Sequence, residues 1–271
     1  MREPLVMVLV AVGVAMVAFD IGLYSVMTFP RYEQNNKELL FAVYTTNADP
    51  PTINVLKKYY TESRENYYVI DDTIGKQIFI HFPYYKKMLI GASIKELSVN
   101  KLAEARNQSF SADDVIAYDI ENWPSTPVQE RINAADSISN ASKIVHQAGY
   151  KFGVTPDSKI LLRWYDTINW DEVDLLGMQL QEFSDDPEEL AHYARLVSEH
   201  VRSESPETQI FIQLSFRRTD ASDMQNAINA VENFVDGVIV GYVPEGRIPC
   251  KYCSPENLDE ILYYINSTKN I

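Results

Sequence analysis

From residue 110 onward, apolar runs of strand length alternate with amphipathic stretches of helical period, the rhythm of βα units that feed a parallel sheet. The strand-length runs are 114–121 (DVIAYDIE), 150–155 (YKFGVT), 174–181 (DLLGMQLQ), 209–215 (QIFIQLS) and 236–242 (DGVIVGY). Helices are predicted at 127–147, 186–203, 222–234 and 255–266. The helix over 186–203 carries clear start signals: Pro187 in the first turn, then Glu188 and Glu189 against the positive end of the helix. Leu190, Tyr193, Ala194 and Val197 fall on one face. Ser254, Pro255 and Glu256 open the last helix as cap, first residue and first-turn acid.

The N-terminal half is less regular. It offers a strand at 39–45 (LLFAVYT), a helix near 52–62, and strands at 77–82 and 87–93. Only Pro83 to Lys86 separate the last two, too few for a helical crossover, so they form a hairpin or one of them is not a barrel strand. Seven or eight strands are therefore expected. No linker rich in Gly, Ser or Pro interrupts 37–266, which makes residues 31–271 a single domain. The predicted fold is α/β, a (β/α)8 TIM-type barrel with an irregular N-terminal half. Its rival, an open doubly wound sheet, calls for a Gly-rich turn after the first strand, where this chain has Thr45-Thr46-Asn47-Ala48.

Residues 1–30 read as a hydrophobic helix. Pro4 to Phe19 are apolar and uncharged, and after Asp20 the run resumes to Pro30. At about 1.5 Å per residue the first part is short for a bilayer core of about 30 Å, so an anchor over 4–28 places Asp20 near an interface. A cleaved signal peptide, with Gly13-Val14-Ala15 as its small-x-small site, is the alternative. Arg2 before the segment and Arg31 and Lys37 after it nearly cancel in the positive-inside rule. The expected location is membrane-anchored with the domain outside the cytoplasm, or secreted. Cys250 and Cys253 form a CxxC that suits a short disulfide, half a zinc site or a redox pair, and an exterior domain favours the disulfide.

Charge narrows the partners. With 24 Lys plus Arg against 38 Asp plus Glu, the formal charge of -14 repels nucleic acid and anionic headgroups. A carbohydrate or small neutral ligand fits better, and no nucleic-acid partner is expected.

Parallel strands are buried on both faces, so a polar residue within one must open onto a lumen that water or ligand can enter. Strand parity puts Asp119 and Glu121 on one face with Ala117, and Gly177, Gln179 and Gln181 on one face of the 174–181 strand; Gln213 and Ser215 repeat the pattern. At a barrel mouth Glu121, Gln181, Glu182, Arg217 and Tyr242 would converge, where barrel enzymes place their sites. Trp123 and Tyr242 would offer rings for stacking on sugar faces, whereas Trp164 and Trp170 read as core. The plainer alternatives are a buried hydrogen-bond network, Glu182 as a cap for the helix near Asp186, and Arg217 paired with a neighbouring carboxylate.

The stretch Asp114-Val-Ile-Ala-Tyr-Asp-Ile-Glu121 resembles the fourth-strand motif D-G-x-D-x-D-x-E of the family 18 chitinase-like glycoside hydrolases. Asp114, Asp119 and Glu121 match, while Val115 and Ala117 depart from it. The resemblance implies a (β/α)8 barrel in which Glu121 protonates the glycosidic oxygen and Asp119 positions a substrate acetamido group. The family's sixth-strand Met-x-Tyr corresponds to Met178-Gln-Leu180, without the tyrosine. A second chemistry keeps Glu121 as acid and uses Glu182 or Asp157 as nucleophile or base.

Other chemistries find little. His81, His146, His192 and His200 include no HxH pair, and no GxSxG elbow or Gly-rich phosphate loop occurs, so neither metal nor cofactor is expected. Two readings stand: an exported, membrane-tethered glycoside-hydrolase-like barrel acting on polysaccharide, or a non-catalytic glycan- or protein-binding barrel at the cell surface.

Overall fold

Eight parallel strands close on themselves in chain order, each hydrogen-bonded to its sequence neighbours, with β8 returning to β1. The computed structural model describes residues 39–45, 49–60, 68–71, 78–243 and 249–267. Its strands are β1 (Leu40–Thr45), β2 (Tyr68–Asp71), β3 (Lys86–Gly91), β4 (Val115–Tyr118), β5 (Lys151–Val154), β6 (Leu175–Met178), β7 (Gln209–Ser215) and β8 (Gly237–Tyr242). Its helices are α1 (Pro50–Tyr59), α2 (Ile78–His81), α3 (Ile94–Glu96), α4 (Leu102–Asn107), α5 (Val128–Ile132), α6 (Ala134–Gln147), α7 (Ser158–Trp164), α8 (Pro187–Glu204), α9 (Ala221–Val231) and α10 (Pro255–Ser267). A closed parallel sheet ringed by helices is a (β/α)8 barrel. The hydrophobic segment 4–28 lies outside the described residues, and among those described no helix is long and apolar enough to cross a membrane.

All five strands expected after residue 110 form, most of them shorter than their apolar runs. The N-terminal half needs correction: 77–82 holds the helical turn α2, and the second strand is Tyr68–Asp71. Three apolar residues in a row, Ile78 to Ile80, show no period that separates helix from strand. The helix expected over 127–147 is broken at Asn133, whose backbone leaves the helical region between α5 and α6.

Each strand sorts its side chains by parity. Ile116, Tyr118 and Ile120, like Leu176, Met178 and Leu180, pack in the apolar layer beneath the helices. Ala42, Ile70, Met88, Val115, Ala117, Leu175, Phe211 and Ile239 fill the lumen. At its floor the Tyr68 hydroxyl donates to Gln209 at 2.9 Å, and the Tyr68 ring stands edge-on to Phe211. Gly177 is required by close approach: a Cβ there would lie 2.7 Å from Thr155 Cγ2 and 3.0 Å from Ile239 Cδ1.

Carboxylates hold both ends of the barrel. Asp114, Asp174 and Asp236 stand one residue ahead of β4, β6 and β8. Each accepts the backbone N–H facing it on the preceding strand, from Lys87 at 2.7 Å, Phe152 at 2.8 Å and Ile210 at 2.8 Å. Each also takes a second partner: the Ser111 N–H at 2.6 Å, the His146 ring at 2.7 Å and the Arg202 guanidinium at 2.9 Å. At the opposite end Asp49, Asp157, Asp186 and Asp220 accept first-turn N–H groups and cap α1, α7, α8 and α9. Cys250 and Cys253 are joined by a disulfide ahead of α10.

Candidate functional site

The C-terminal strand ends open into a cavity of about 770 Å³. The ladder between β3 and β4 runs one residue past the strand, with the Asp119 N–H donating to Gly91 O at 2.9 Å. The alternation therefore persists, and Asp119 and Glu121 both line the cavity. Asp119 Oδ1 receives two hydrogen bonds, from Thr155 Oγ1 on the β5 end at 2.8 Å and from Gln179 Nε2 on the β6 end at 2.7 Å. Gln179, 5% exposed, also donates to Thr155 O at 2.8 Å and accepts from Gln181 Nε2 at 3.2 Å. A polar chain across three adjacent strands thus holds Asp119 in place.

Glu121 is tied to its own loop by its N–H, which donates to Thr126 Oγ1 at 3.4 Å. Burial pushes its carboxyl above the usual carboxylate range, the Gln179 amide beside it opposes the rise, and the charge of Asp157 adds to it. Burial is the larger cause, and the like charge that contributes is that of Asp157.

Asp157 lines the cavity but its carboxylate is engaged on both oxygens: Oδ1 caps α7 through Ile160 N–H at 2.8 Å, and Oδ2 accepts from Asn122 N–H at 2.6 Å. It thereby binds the loop that follows Glu121 to the start of α7. Glu182 also lines the cavity and accepts from the Ser158 hydroxyl. The α8 cap is Asp186, so Glu182 is not engaged there. Gln181, Gln213 and Arg217 complete the expected group around the cavity, and Trp123 stands at its rim with 54% of its surface exposed.

Tyr242 does not join them. The lumen face of β8 carries Ile239, and Gly241 borders the cavity, so Tyr242 points outward and packs edge-on against Phe216 beneath the helices. Met178 and Leu180 likewise face the helix layer, which puts the Met-x-Tyr comparison on the wrong face of β6; the polar groups there are Gln179 and Gln181. Trp170 is fully buried and Trp164 packs against the same layer, as core residues do.

Sequence reasoning passed over Tyr44, Glu96, Asn122, Lys159 and Arg218, all of which line the cavity. Tyr44 was available from parity, two residues after the small lumen residue Ala42. Glu96 was available from Ser93-x-x-Glu96 after β3, a capping box in which Ser93 accepts from Glu96 N–H at 3.1 Å and Glu96 accepts from Ala92 N–H at 2.9 Å. Lys101, almost fully buried, lies 3.6 Å from the other Glu96 oxygen.

No protein-family model and no curated protein matches the chain. Among solved structures it is similar to the spore cortex-lytic enzyme SleL of Bacillus megaterium, with 10% identity, a TM-score of 0.56, and coverage of 87% of this chain and 75% of that one. A chitinase from Chromobacterium violaceum matches at 10% identity and a TM-score of 0.51, over 86% of this chain and 99% of its own. Triosephosphate isomerase from Bartonella henselae matches at 9% identity and a TM-score of 0.51, over 85% of this chain and 99% of its own. At such identities the likeness is one of fold: the chain is a (β/α)8 barrel whose structural neighbours include glycoside-hydrolase-like barrels.

Proposed function

We propose that this barrel acts on the glycosidic bonds of a polysaccharide, with Glu121 as proton donor. The observation that carries this reading is a carboxyl at the mouth of the barrel whose pKa burial raises, two residues from a carboxylate fixed by Thr155 and Gln179. A general acid needs a pKa raised toward neutrality so that it still holds its proton at the working pH. Asp119, held on the same strand face, serves to orient the substrate or steady the positive charge that develops at the sugar carbon. Glu182 is the carboxylate available as nucleophile or base, because both oxygens of Asp157 already accept backbone N–H groups. Trp123 supplies the stacking surface for a sugar ring.

Hydrolysis of a panel of fluorogenic glycosides by wild type and Glu121→Gln tests this. Cleavage by wild type and its loss in the variant is the expected result; a rate that survives the substitution removes Glu121 from the role.

A second reading, binding without cleavage, is favoured by the cavity-facing residues at the β6 end, Gln179 and Gln181, neither of which is a tyrosine that could polarise an acetamido group. Glycan binding that depends on Trp123, with no hydrolysis of any glycoside, would establish it. For location we propose a domain outside the cytoplasm, tethered through residues 4–28. The Cys250–Cys253 disulfide supports it, since such bonds persist in oxidising compartments.

A further inference from the structure

Two buried polar atoms at the cavity have no partner among the described residues: Nε of Arg217, a donor, and Oε1 of Gln181, an acceptor. Arg217 follows β7 and borders the cavity three strands round the barrel from Glu121; its backbone N–H donates to Ser215 Oγ at 3.3 Å, and none of the ion pairs among the described residues involves its side chain. Gln181 spends its amide N–H on Gln179 at 3.2 Å, which leaves the oxygen open. Leaving such groups unpaired is costly, and a ligand that offers an anionic acceptor to the one and a hydroxyl donor to the other satisfies both.

We propose that the Arg217 side of the cavity is a carboxylate subsite, so that the glycan recognised here carries a single carboxylate on the sugar it binds. The inference rests on reading the cavity as a glycan site and names the class of glycan. Planar guanidinium matches planar carboxylate in a two-point hydrogen bond, and a sugar acid places hydroxyls close to its carboxylate for Gln181. The lining also sets an upper limit on the ligand's charge. Even with Glu121 carrying its proton, Glu96, Asp119, Asp157 and Glu182 outnumber Lys159, Arg217 and Arg218, an acidic excess that disfavours a doubly charged phosphate and tolerates one carboxylate beside its own cation. The chain's overall charge of -14 argues for a neutral ligand at long range, but salt screens that field within about 8 Å, and Arg217 acts at contact.

Calorimetric titration of the full chain with glucuronosyl-xylobiose, which carries one carboxylate, with the disaccharide of N-acetylglucosamine and N-acetylmuramic acid, and with neutral triacetylchitotriose tests the proposal. At least one of the two acidic probes is expected to bind at least tenfold more tightly than chitotriose, and which one does so separates a uronate from a lactyl carboxylate. Arg217→Gln abolishes that preference, Arg217→Lys restores part of it, and Arg106→Gln, altering an exposed arginine of α4 that is not among the cavity residues, leaves it in place. Chitotriose binding as tightly as both acids, or a preference that survives Arg217→Gln, overturns the subsite. If that occurs while Glu121-dependent hydrolysis is seen, the hydrolase reading stands alone. Binding of an acid that depends on Arg217, with no glycoside cleaved, leaves the subsite standing and removes the hydrolase. No binding of any probe overturns both.

Discussion

Gly177 and Thr155 share one space in the lumen, and that space decides how Asp119 is held. A Cβ at position 177 would sit 2.7 Å from Thr155 Cγ2, closer than side-chain carbons come, while Thr155 Oγ1 donates to Asp119 at 2.8 Å. Gly177→Ala must therefore push Thr155 aside or strain both strands. Overpacking of this kind costs about 1–3 kcal/mol. The same displacement loosens Asp119, so oligosaccharide affinity or turnover falls with stability. Thr155→Ser alone deletes one buried methyl, about 1 kcal/mol, and keeps the hydroxyl. In the double variant the methyl has in effect moved from β5 to β6, total volume is conserved, and stability should return to within about 1 kcal/mol of wild type. Urea unfolding of all four proteins reads the coupling, expected at about 1–3 kcal/mol in the favourable direction. If the two substitutions simply add, the contact does not hold Thr155, and the account of how Asp119 is positioned fails.

Glu121→Gln should abolish hydrolysis yet raise stability at neutral and alkaline pH. The folded-state pKa of Glu121 is raised, so the native protein holds an extra proton between the ordinary carboxylate range and that raised value; stability falls as pH climbs through this window, and glutamine is spared the loss. Melting temperatures from pH 3.5 to 8 should show no advantage of the variant at the acid end and a growing one above; an advantage independent of pH contradicts the burial of a charge. The same titration makes wild-type activity decline on the alkaline side as Glu121 loses its proton, which a pH–rate profile checks. Asp236→Ala leaves the Ile210 N–H without its acceptor and the partly buried Arg202 without its counter-charge, with only the Phe234 carbonyl at 3.4 Å, and should cost about 3–5 kcal/mol in chemical denaturation. Trp123→Ala, at a half-exposed position, should weaken oligosaccharide binding roughly tenfold with almost no change in melting temperature, as titration and calorimetry would show.

The half of the barrel after residue 110 was legible because its strands are apolar on both faces and its helices announce their first turns, as Pro187, Glu188 and Glu189 do. The earlier half hid β2 because Tyr68–Asp71 is four residues long and flanked by polar chain, while the apolar run at Ile78 imitated a strand. At the site, parity correctly grouped Asp119, Glu121, Gln179, Gln181 and Gln213 as cavity residues. It failed for Tyr242 because proximity to a strand end was weighed ahead of the alternation; glycines at 237 and 241 leave the lumen face of β8 inconspicuous in sequence. Asp157 looked like chemistry and is largely architecture, as the cap of α7. The buried atoms of Gln181 and Arg217 had no sequence signal, because an unmet hydrogen bond is a property of the assembled mouth.

Asp114, Asp174 and Asp236 lie at the far end of the barrel from the cavity, yet they bear on what it contains. Alternation along a strand has a period of two, so a slip of one residue between neighbours exchanges every inward and outward side chain. By gripping the N–H of Lys87, Asp114 fixes which residue of β4 stands opposite which residue of β3. Were β4 to move by a single residue, Asp119 and Glu121 would turn into the apolar layer under the helices and Tyr118 and Ile120 would face the mouth. The first aspartate of the DVIAYDIE segment thus works as a register mark, aiming the two carboxylates that follow it.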